Sequence, residues 1–205
     1  MSELNDRKDE LLNDKQLLGL KYHEFDNLRI PRDEINRHRD FIEFIVGKLP
    51  NTDFKIVGSY RRGHQDSGDI DILITNSDNN KGVFKEFITY LKQGDYLIDD
   101  LAYGNVKYMG YSAFCGVPRR IDVLYCSPEE YPFSMLYFTG SGEFNKGMRK
   151  WCLTQNYTLN EHGLYHFKDK KKGKRVNYQF NNERDIFKYL DVEYTEPSKR
   201  VKFNH

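Results

Sequence analysis

Two neighbouring segments decide the fold of this chain: Gly58-Ser59-Tyr60-Arg61-Arg62-Gly63 and Ser67-Gly68-Asp69-Ile70-Asp71. The first combines a glycine–serine turn with two arginines, and the second separates two aspartates by one residue. Alternate side chains of a β-strand point to the same face, so Asp69 and Asp71 would project together, roughly 6–7 Å apart at Cα level. Two such carboxylates repel each other unless a cation joins them, and their hard oxygens suit Mg²⁺ or Mn²⁺. The order therefore predicts a phosphate-binding turn followed by a divalent metal site.

A third aspartate lies in the stretch Arg119-Arg120-Ile121-Asp122-Val123-Leu124-Tyr125. The β-branched and aromatic residues of this stretch predict a strand. An aspartate within such an apolar run is costly unless it is paired or binds a metal. If this strand lies beside the first, three carboxylates converge and can hold two ions for phosphoryl transfer. The alternative is that Asp69 and Asp71 are turn residues while Asp122 pairs with Arg120.

The remaining pattern predicts an α+β fold. Apolar residues at helical spacing within 35–49 predict a helix with Asp33 as its N-cap. Further predicted elements are a helix at 83–91 and strands at 54–58, 70–75, 97–101, 106–114 and 121–125. Helices mixed with later, antiparallel-looking strands are typical of an α+β domain. Pro128 and Pro132 mark a boundary, after which a smaller α+β unit is expected.

The composition argues against a strongly basic nucleic-acid coat, because 32 Lys and Arg residues are balanced by 31 Asp and Glu residues. Any basic surface must therefore be local. The three cysteines are odd in number and far apart, as expected of free thiols in a reducing compartment. The N-terminus is charged, and no run approaches the ~20 apolar residues of a membrane span. The sequence thus predicts an intracellular protein of the nucleus or cytoplasm that is neither secreted nor membrane-bound.

A resemblance to a known family rests on the two opening segments and on three further stretches: 17–34, 137–149 and 183–187. The chain resembles the X family of DNA polymerases, which are polymerase beta-like members of the nucleotidyltransferase superfamily. The glycine–serine turn and aspartate pair mark only the superfamily, whereas Tyr137-Phe138-Thr139-Gly140-Ser141 resembles a segment specific to the X family. The resemblance covers nearly the whole chain and implies a minimal palm-and-thumb form lacking the lyase domain. The implied divisions are a remnant of the fingers at 1–30, a catalytic nucleotidyltransferase palm with a mixed sheet at 31–132, and a small α+β thumb at 133–205.

The resemblance implies a template-directed DNA polymerase that adds deoxynucleotides from dNTPs to a primer 3′-hydroxyl and releases pyrophosphate. Primer-template or gapped DNA is the expected partner, and short-gap filling in DNA repair, as in base excision repair, is the expected role. A monomer with two Mg²⁺ ions, or Mn²⁺ in their place, is expected. Terminal transferases of this family carry a long insertion before the third aspartate that displaces the template, whereas the link between Tyr108 and Arg119 is short here. The alternatives are a template-independent or RNA-directed nucleotidyltransferase and a non-catalytic DNA-end-binding module.

The resemblance also implies roles for individual residues. Asp69 and Asp71 would hold both ions, and Asp122 would hold the catalytic ion close to the primer hydroxyl. The residues implied to bind the nucleotide are Arg29, Gly58, Ser59, Arg62, Gly68, Tyr137, Phe138, Gly140, Ser141 and Asn145. Those implied to bind DNA are Lys107, Arg120, Arg149, Glu161 and His162. A cis peptide bond is implied between Gly140 and Ser141, and for Arg29 the alternative is a surface ion pair.

A basic run at 168–175 predicts a second DNA contact. Its lysines surround Gly173 and predict the tip of a hairpin between strands at 164–167 and 176–180. We expect this run to bind DNA phosphates through Lys170, Lys171, Lys172 and Lys174. The alternatives are a solvated turn and a nuclear-import signal.

Overall fold

The chain builds an α+β fold around two hydrophobic cores, as described for residues 11–204 by a computed structural model. The helices are α1 (Asp14–Asp26), α2 (Arg32–Val46), α3 (Gly58–Arg61), α4 (Gly82–Gln93), α5 (Tyr131–Thr139), α6 (Gly142–Thr154) and α7 (Glu183–Tyr189). The strands are β1 (Ile30–Pro31), β2 (Thr52–Ile56), β3 (Asp66–Ser67), β4 (Ile70–Asn76), β5 (Leu97–Tyr103), β6 (Lys107–Ser112), β7 (Arg119–Tyr125), β8 (Tyr157–Asn160), β9 (Gly163–Lys168) and β10 (Lys171–Arg175). The predicted α+β fold is confirmed, and the first ten residues of the expected fingers remnant lie outside the described residues. No helix in this described part combines the length and the apolar character needed to cross a membrane.

The larger sheet has five strands in the order β2-β4-β7-β6-β5. β4 and β7 are parallel neighbours, with Asp71 opposite Asp122, and the other pairs are antiparallel. A parallel pair needs a long crossover connection, which α4, β5 and β6 supply here. The helices α2 and α4 cover the sheet with apolar side chains such as Ile42 and Phe87, which are completely buried. The pairing of β4 with β7 therefore brings the segments that contain Asp71 and Asp122 side by side.

The helix predicted to begin after an Asp33 cap begins one residue before it. α2 starts at Arg32, and its N-cap position is Pro31, which makes no side-chain cap. The start of the helix is fixed instead by the pairing of β1 with β3 and by the Arg32 amide, which donates to the Gln65 carbonyl at 2.8 Å. The predicted cap is therefore wrong, because a contact with a distant segment sets the start of the helix.

The strand predicted to reach Gly58 ends earlier, at Ile56. Gly58 has a φ of +60° and opens the short helix α3. A Cβ atom at this position would collide with the carboxylate of Asp71, so the close approach of α3 to β4 requires glycine. The glycine–serine turn thus passes directly over the second aspartate.

The second core lies between α5, α6 and α7 and the small sheet β10-β9-β8. Phe144, Leu164 and Ile186 are completely buried in this core. α5 also contributes Met135 to a smaller cluster that contains Leu73 of the larger sheet. α5 therefore contacts both parts of the fold.

The basic run forms a strand of its hairpin instead of the tip. β9 and β10 pair Lys168 with Lys171, which leaves Asp169-Lys170 as the turn. Both turn residues have positive φ, 52° and 59°, as in the type I′ turns that suit two-residue hairpins. The strand predicted at 176–180 is wrong, since β10 ends at Arg175. An Asp–Lys turn lacks the glycine that usually signals this geometry, so the local pattern misplaced the strand.

Candidate active site

Three aspartates lie together at the pairing of β4 with β7. Asp71 on β4 is opposite Asp122 on β7, and Asp69 comes directly before β4. Burial, together with the charges of Asp69 and Asp122, raises the pKa of Asp71 to about 7. Burial and the charge of Asp122 also raise the pKa of Asp69. The strand pairing therefore brings the three predicted carboxylates into one electrostatic environment, called the aspartate cluster below.

Arg120 extends into the aspartate cluster. Its Nε lies 3.4 Å from Asp122 Oδ1, so the ion pair considered as an alternative is present. Burial opposes the charge of Arg120, but Asp122 and Asp69 outweigh this effect and raise its pKa. Arg29 and Arg62 also act on Asp69 and Asp71, respectively, and favour their charged forms, but the pKa of both carboxyls remains raised. The other half of the alternative fails for Asp71, which lies within β4 and not in a turn.

The aspartate cluster fits a divalent cation. Carboxylate oxygens are the hard donors that Mg²⁺ and Mn²⁺ prefer. Burial and, after it, the charges of Asp69 and Asp122 raise the pKa of Asp71, and a bound cation would favour its charged form. Gly58 leaves the space beside Asp71 Oδ2 free of a side chain. Asp69, Asp71 and Asp122 are thus a candidate site for these ions.

An open cavity of about 560 Å³ adjoins the aspartate cluster. Asp69 and Asp71 line it together with nine of the residues predicted to bind the nucleotide: Arg29, Gly58, Ser59, Arg62, Gly68, Tyr137, Phe138, Gly140 and Asn145. His64 and Gly142 also line the cavity and were not among the predicted site residues. A cavity of this size can enclose a small organic ligand. The structure therefore gathers most of the predicted nucleotide residues around one space.

Ser59 and Arg62, which line this cavity, are held by contacts that the sequence analysis did not predict. The Ser59 hydroxyl donates to Ser67 Oγ at 2.8 Å, and Ser67 is buried. Arg62 Nη1 donates to the carbonyl oxygen of Thr139 at 2.7 Å. Because a guanidinium has five N–H donors, most donors of Arg62 remain available to an anion. The Arg62 contact joins segments 77 positions apart, whereas Ser67 is only eight positions from Ser59.

Arg29 forms the surface ion pair that was its alternative assignment. Its Nη2 lies 2.8 Å from Asp66 Oδ1, and the two side chains are 56% and 51% exposed. Exposed pairs of this kind contribute about 0–1 kcal/mol. Arg29 also lines the cavity, and its Nη1 packs against Gly68 so closely that a Cβ there would lie 3.2 Å away. The guanidinium therefore lies at the edge of the cavity, where it donates to the side chain and the backbone carbonyl of Asp66.

The end of α5 and the start of α6 form the opposite wall. The rings of Tyr137 and Phe138 meet edge to face, with centroids 5.0 Å apart. The peptide bond between Gly140 and Ser141 is cis, as the resemblance implied. Asn145 Nδ2 donates to the Tyr137 carbonyl at 2.7 Å, which holds its amide at the cavity. The Ser141 hydroxyl caps α6 instead and is not part of the cavity lining.

The residues predicted to bind DNA occupy several places. Lys107 is exposed and shares a narrow cavity with Asp71 and Asp122. Arg149 lies beside Asn145 on α6 and is exposed. The lysines of the basic hairpin are likewise exposed: Lys170, Lys171, Lys172 and Lys174. These positions keep their charges accessible to a polyanion, and their contacts with DNA remain predictions.

Glu161 and His162 lie in the turn between β8 and β9. His162 Nδ1 is 2.8 Å from Glu130 Oε1, and His162 Nε2 is 3.8 Å from Glu161 Oε1. The histidine is therefore flanked by two carboxylates. It forms part of an acidic group of side chains, whose approach to DNA is also a prediction.

A buried ion-pair network, which the sequence analysis did not anticipate, links the phosphate-binding turn to the C-terminal part of the chain. Arg200 Nη1 donates to Glu183 Oε1 at 2.7 Å, and Arg61 Nη1 donates to the same oxygen at 3.1 Å. Glu183 is 6% exposed and Arg200 is 1% exposed. Arg61 also donates to the hydroxyl of Thr139 at the end of α5. The network therefore couples α3, α5 and α7.

We expect Asp71→Asn to stabilise the protein at neutral pH in the absence of divalent metal. The pKa of Asp71 rises from an ordinary value of 3.8 to about 7 on folding, so the folded state binds this proton more tightly. Stability is lost as pH rises between these two values, because the carboxylate must then ionise beside its charged neighbours. The amide avoids this loss. In EDTA, the melting temperature of Asp71→Asn should exceed that of wild type at pH 8 and approach the wild-type value at pH 4.

Asp53→Asn is a matched control, because Asp53 is a 59% exposed carboxylate on β2 of the same sheet. This control should melt as wild type does at both pH values. Added Mg²⁺ should raise the melting temperature of wild type more than that of Asp71→Asn. A difference between Asp71→Asn and wild type that does not change with pH would contradict the pKa argument.

Comparison with known proteins relates this arrangement to a family. Residues 29–128 match the family model described as DNA polymerase beta palm, and residues 134–201 match DNA polymerase beta thumb. The chain is 31% identical to DNA polymerase lambda of Rattus norvegicus, over 92% of this chain and 36% of the relative. It is 30% identical to DNA polymerase lambda of Arabidopsis thaliana (96% and 41%) and 27% identical to DNA nucleotidylexotransferase of Xenopus laevis (98% and 46%). The chain spans less than half the length of these relatives. Because the two matched regions contain the glycine–serine turn, the three aspartates and the wall of the cavity, the chain belongs to the DNA polymerase beta family, the X family of nucleotidyltransferases.

Proposed function

We propose that the chain is a template-directed DNA polymerase that extends a primer 3′-hydroxyl with deoxynucleotides and fills short gaps during DNA repair. The observation that carries this proposal is the cavity that joins the aspartate cluster to Ser59 and Arg62. Phosphoryl transfer needs this combination, because its rate depends mainly on positioning and on neutralising charge. The similarity to DNA polymerase lambda, whose name describes a DNA polymerase, supports the assignment.

In the proposed reaction each group of residues has a distinct task. Ser59 and Arg62 bind the outer phosphates of the dNTP, and the wall beside Tyr137 positions its sugar. The carboxylate of Asp122 accepts the proton of the primer hydroxyl as that oxygen attacks the α-phosphate. Asp69 and Asp71, with Asp122, would hold the divalent ions, which when bound neutralise the phosphates and lower the pKa of the hydroxyl. Pyrophosphate is the leaving group.

The short link between β6 and β7 supports copying of a template. It comprises residues 113–118. The resemblance places the template-displacing insertion of terminal transferases in this link. A template strand would therefore meet no such insertion at this end of β6 and β7, where Ser112 pairs with Arg119. The second candidate function is template-independent addition, which the match to DNA nucleotidylexotransferase over 98% of the chain favours.

Primer extension on four substrates tests the proposal. The substrates are a matched primer-template, a one-nucleotide gap with a 5′-phosphate, the same gap without it, and a single-stranded primer, each with one dNTP at a time. We expect incorporation of the complementary nucleotide alone, with little extension of the single strand. Equal incorporation of all four nucleotides on every substrate would establish the second candidate instead. No incorporation with either Mg²⁺ or Mn²⁺ would leave only a DNA-binding role.

We further propose the division into a fingers remnant at 1–30, a palm at 31–132 and a thumb at 133–205, together with a monomeric state and an intracellular location. The two separate hydrophobic cores support the division into palm and thumb. Sedimentation would report the oligomeric state. Microscopy of the tagged protein would distinguish nucleus from cytoplasm.

We expect neutralisation of the basic hairpin to weaken DNA binding. The quadruple change of Lys170, Lys171, Lys172 and Lys174 to Gln removes four exposed charges. Each lost phosphate contact should lower the slope of log affinity against log salt by about 0.9. Fluorescence anisotropy of labelled duplex DNA over a range of NaCl concentrations measures both quantities.

The matched control changes four exposed lysines elsewhere to Gln: Lys48, Lys55, Lys81 and Lys85. It lowers the net charge equally but leaves the hairpin intact. If both quadruple variants lose the same affinity and the same slope, the hairpin has no specific role in DNA binding. Lys172 should contribute least, because its Nζ lies 3.5 Å from the centre of the Tyr165 ring.

A further inference from the structure

A second cluster of metal-binding side chains lies away from the aspartate cluster. Glu34 and His38 are four residues apart on α2, so they share one face of the helix. Cys115 belongs to the link between β6 and β7. One carboxylate oxygen, one imidazole nitrogen and the thiol sulfur all lie within 4.8 Å of one another. Within residues 11–204, the aspartates of the active site do not meet this spacing.

The Glu34–His38–Cys115 cluster is on the opposite face of the larger sheet from the active site. Arg119 on β7 binds Glu34, and Asp122 is three residues further along the same strand. Side chains separated by an odd number of residues in a strand point to opposite faces. The cluster is therefore separated from the aspartates by the sheet itself, and its occupation would not compete with them.

His38 is arranged as metal-binding histidines usually are. Its Nδ1 lies 2.7 Å from the hydroxyl of Tyr96, and its Nε2 is buried without a hydrogen-bond partner. His38 and Tyr96 are completely buried. In metal sites one ring nitrogen is typically oriented by a hydrogen bond while the other binds the ion. A buried nitrogen without a partner costs free energy unless something binds it.

Neighbouring charges determine which kind of ion the cluster could hold. Arg119 donates to both oxygens of Glu34, at 2.7 and 2.8 Å, and its Nη1 has no hydrogen-bond partner. A carboxylate has about four lone-pair sites, so Glu34 can bind an ion in addition to Arg119. The guanidinium repels a cation, so electrostatic attraction alone would hold Mg²⁺ or Ca²⁺ poorly. A sulfur–metal bond must supply the affinity, which restricts the ion to thiophilic metals.

We propose that Glu34, His38 and Cys115 form a binding site for a zinc-type divalent cation, with a fourth position open to solvent. Binding converts the thiol into a metal-bound thiolate, and its proton goes to the solvent. Because Cys115 lies in the 113–118 link and the other two ligands lie on α2, the bound ion would attach the link to the helix. The link would then be more rigid in the metal-bound protein than in the metal-free protein.

The probe for this site is Co²⁺, added to protein that contains saturating Mg²⁺ so that the aspartates are already occupied. We expect one Co²⁺ per chain with a thiolate-to-cobalt charge-transfer band, which excess Zn²⁺ abolishes. Cys115→Ser should lose the band and weaken Co²⁺ binding at least tenfold. Cys126→Ser, which changes a buried thiol outside the cluster, should retain both.

Hydrogen exchange provides a second measurement that does not depend on the absorption band of Co²⁺. Zn²⁺ should slow amide exchange at residues 113–118 in wild type and in Cys126→Ser but leave Cys115→Ser unchanged. A missing band, a band that survives Cys115→Ser, or exchange that Zn²⁺ does not alter would overturn the proposal. The two unpartnered nitrogens of His38 and Arg119 would then belong to a hydrated polar pocket, bridged by water.

Discussion

Replacement of Asp122 by Asn should reduce the rate of nucleotide incorporation by about 10²–10³-fold, the usual loss in kcat when one preorganised group is removed from an active site. The amide keeps the size of the side chain and removes its charge. Asp122 has two proposed tasks, to hold an ion and to accept the proton of the primer hydroxyl, and the amide performs both poorly. Single-turnover incorporation on a saturating primer-template measures the chemical step directly.

Binding of the dNTP should be affected much less than its incorporation. Ser59 and Arg62 line the phosphate side of the cavity and are unchanged in the variant. Asp53→Asn, the exposed change on β2, should incorporate nucleotides at the wild-type rate. If Asp122→Asn keeps a rate within tenfold of wild type while Asp53→Asn behaves as expected, the assignment of Asp122 to the chemistry is wrong.

Glu183→Gln should destabilise the folded protein by about 3–5 kcal/mol, the usual cost of removing one partner from a buried ion pair. Two guanidinium groups, those of Arg61 and Arg200, then lose the carboxylate that neutralises them. Arg200 is 0% exposed at its side chain, so water cannot replace the lost partner without opening the structure. For a chain of this size the loss corresponds to roughly 6–20 °C in melting temperature.

Urea denaturation followed by circular dichroism measures this difference in the free energy of unfolding. The matched control is Glu196→Gln, because Glu196 pairs with Arg184 at 2.7 Å but the two side chains are 51% and 64% exposed. An exposed pair should contribute about 0–1 kcal/mol. Equal losses from the buried and the exposed glutamate would show that burial does not set the strength of the network.

The aspartate cluster could be predicted from the sequence because its signal is local. Asp69 and Asp71 are one residue apart, and Asp122 interrupts an apolar run, so each position is marked by its own neighbours. The pairing of β4 with β7 could not be deduced from the sequence, because a long crossover connection separates the two strands in the chain. The α+β fold followed from the order of the elements for the same local reasons.

Most of the interactions that the sequence did not reveal join distant segments. Glu183 binds Arg61 across 122 positions of the chain, and Arg119 binds Glu34 across 85. An arginine followed by an apolar strand has no local feature that identifies its partner. The hairpin was misplaced for a different reason: Asp169-Lys170 adopts positive φ without glycine, so the turn carried no recognisable signal.

The opposite orientation of Arg119 and Asp122 has a consequence for how this fold can change. Arg119 anchors the first residue of β7 to α2, on the far side of the sheet from the chemistry. Residues added to the link before this anchor would leave the register of β7 unchanged, provided that Phe114 keeps its ring contacts with His38 and Phe41 on α2. A single deletion between Arg119 and Asp122 would instead shift the later residues by one position and direct the side chain of Asp122 to the opposite, hydrophobic face of the sheet. The link between β6 and β7 can therefore vary in length, whereas the segment from Arg119 to Asp122 cannot.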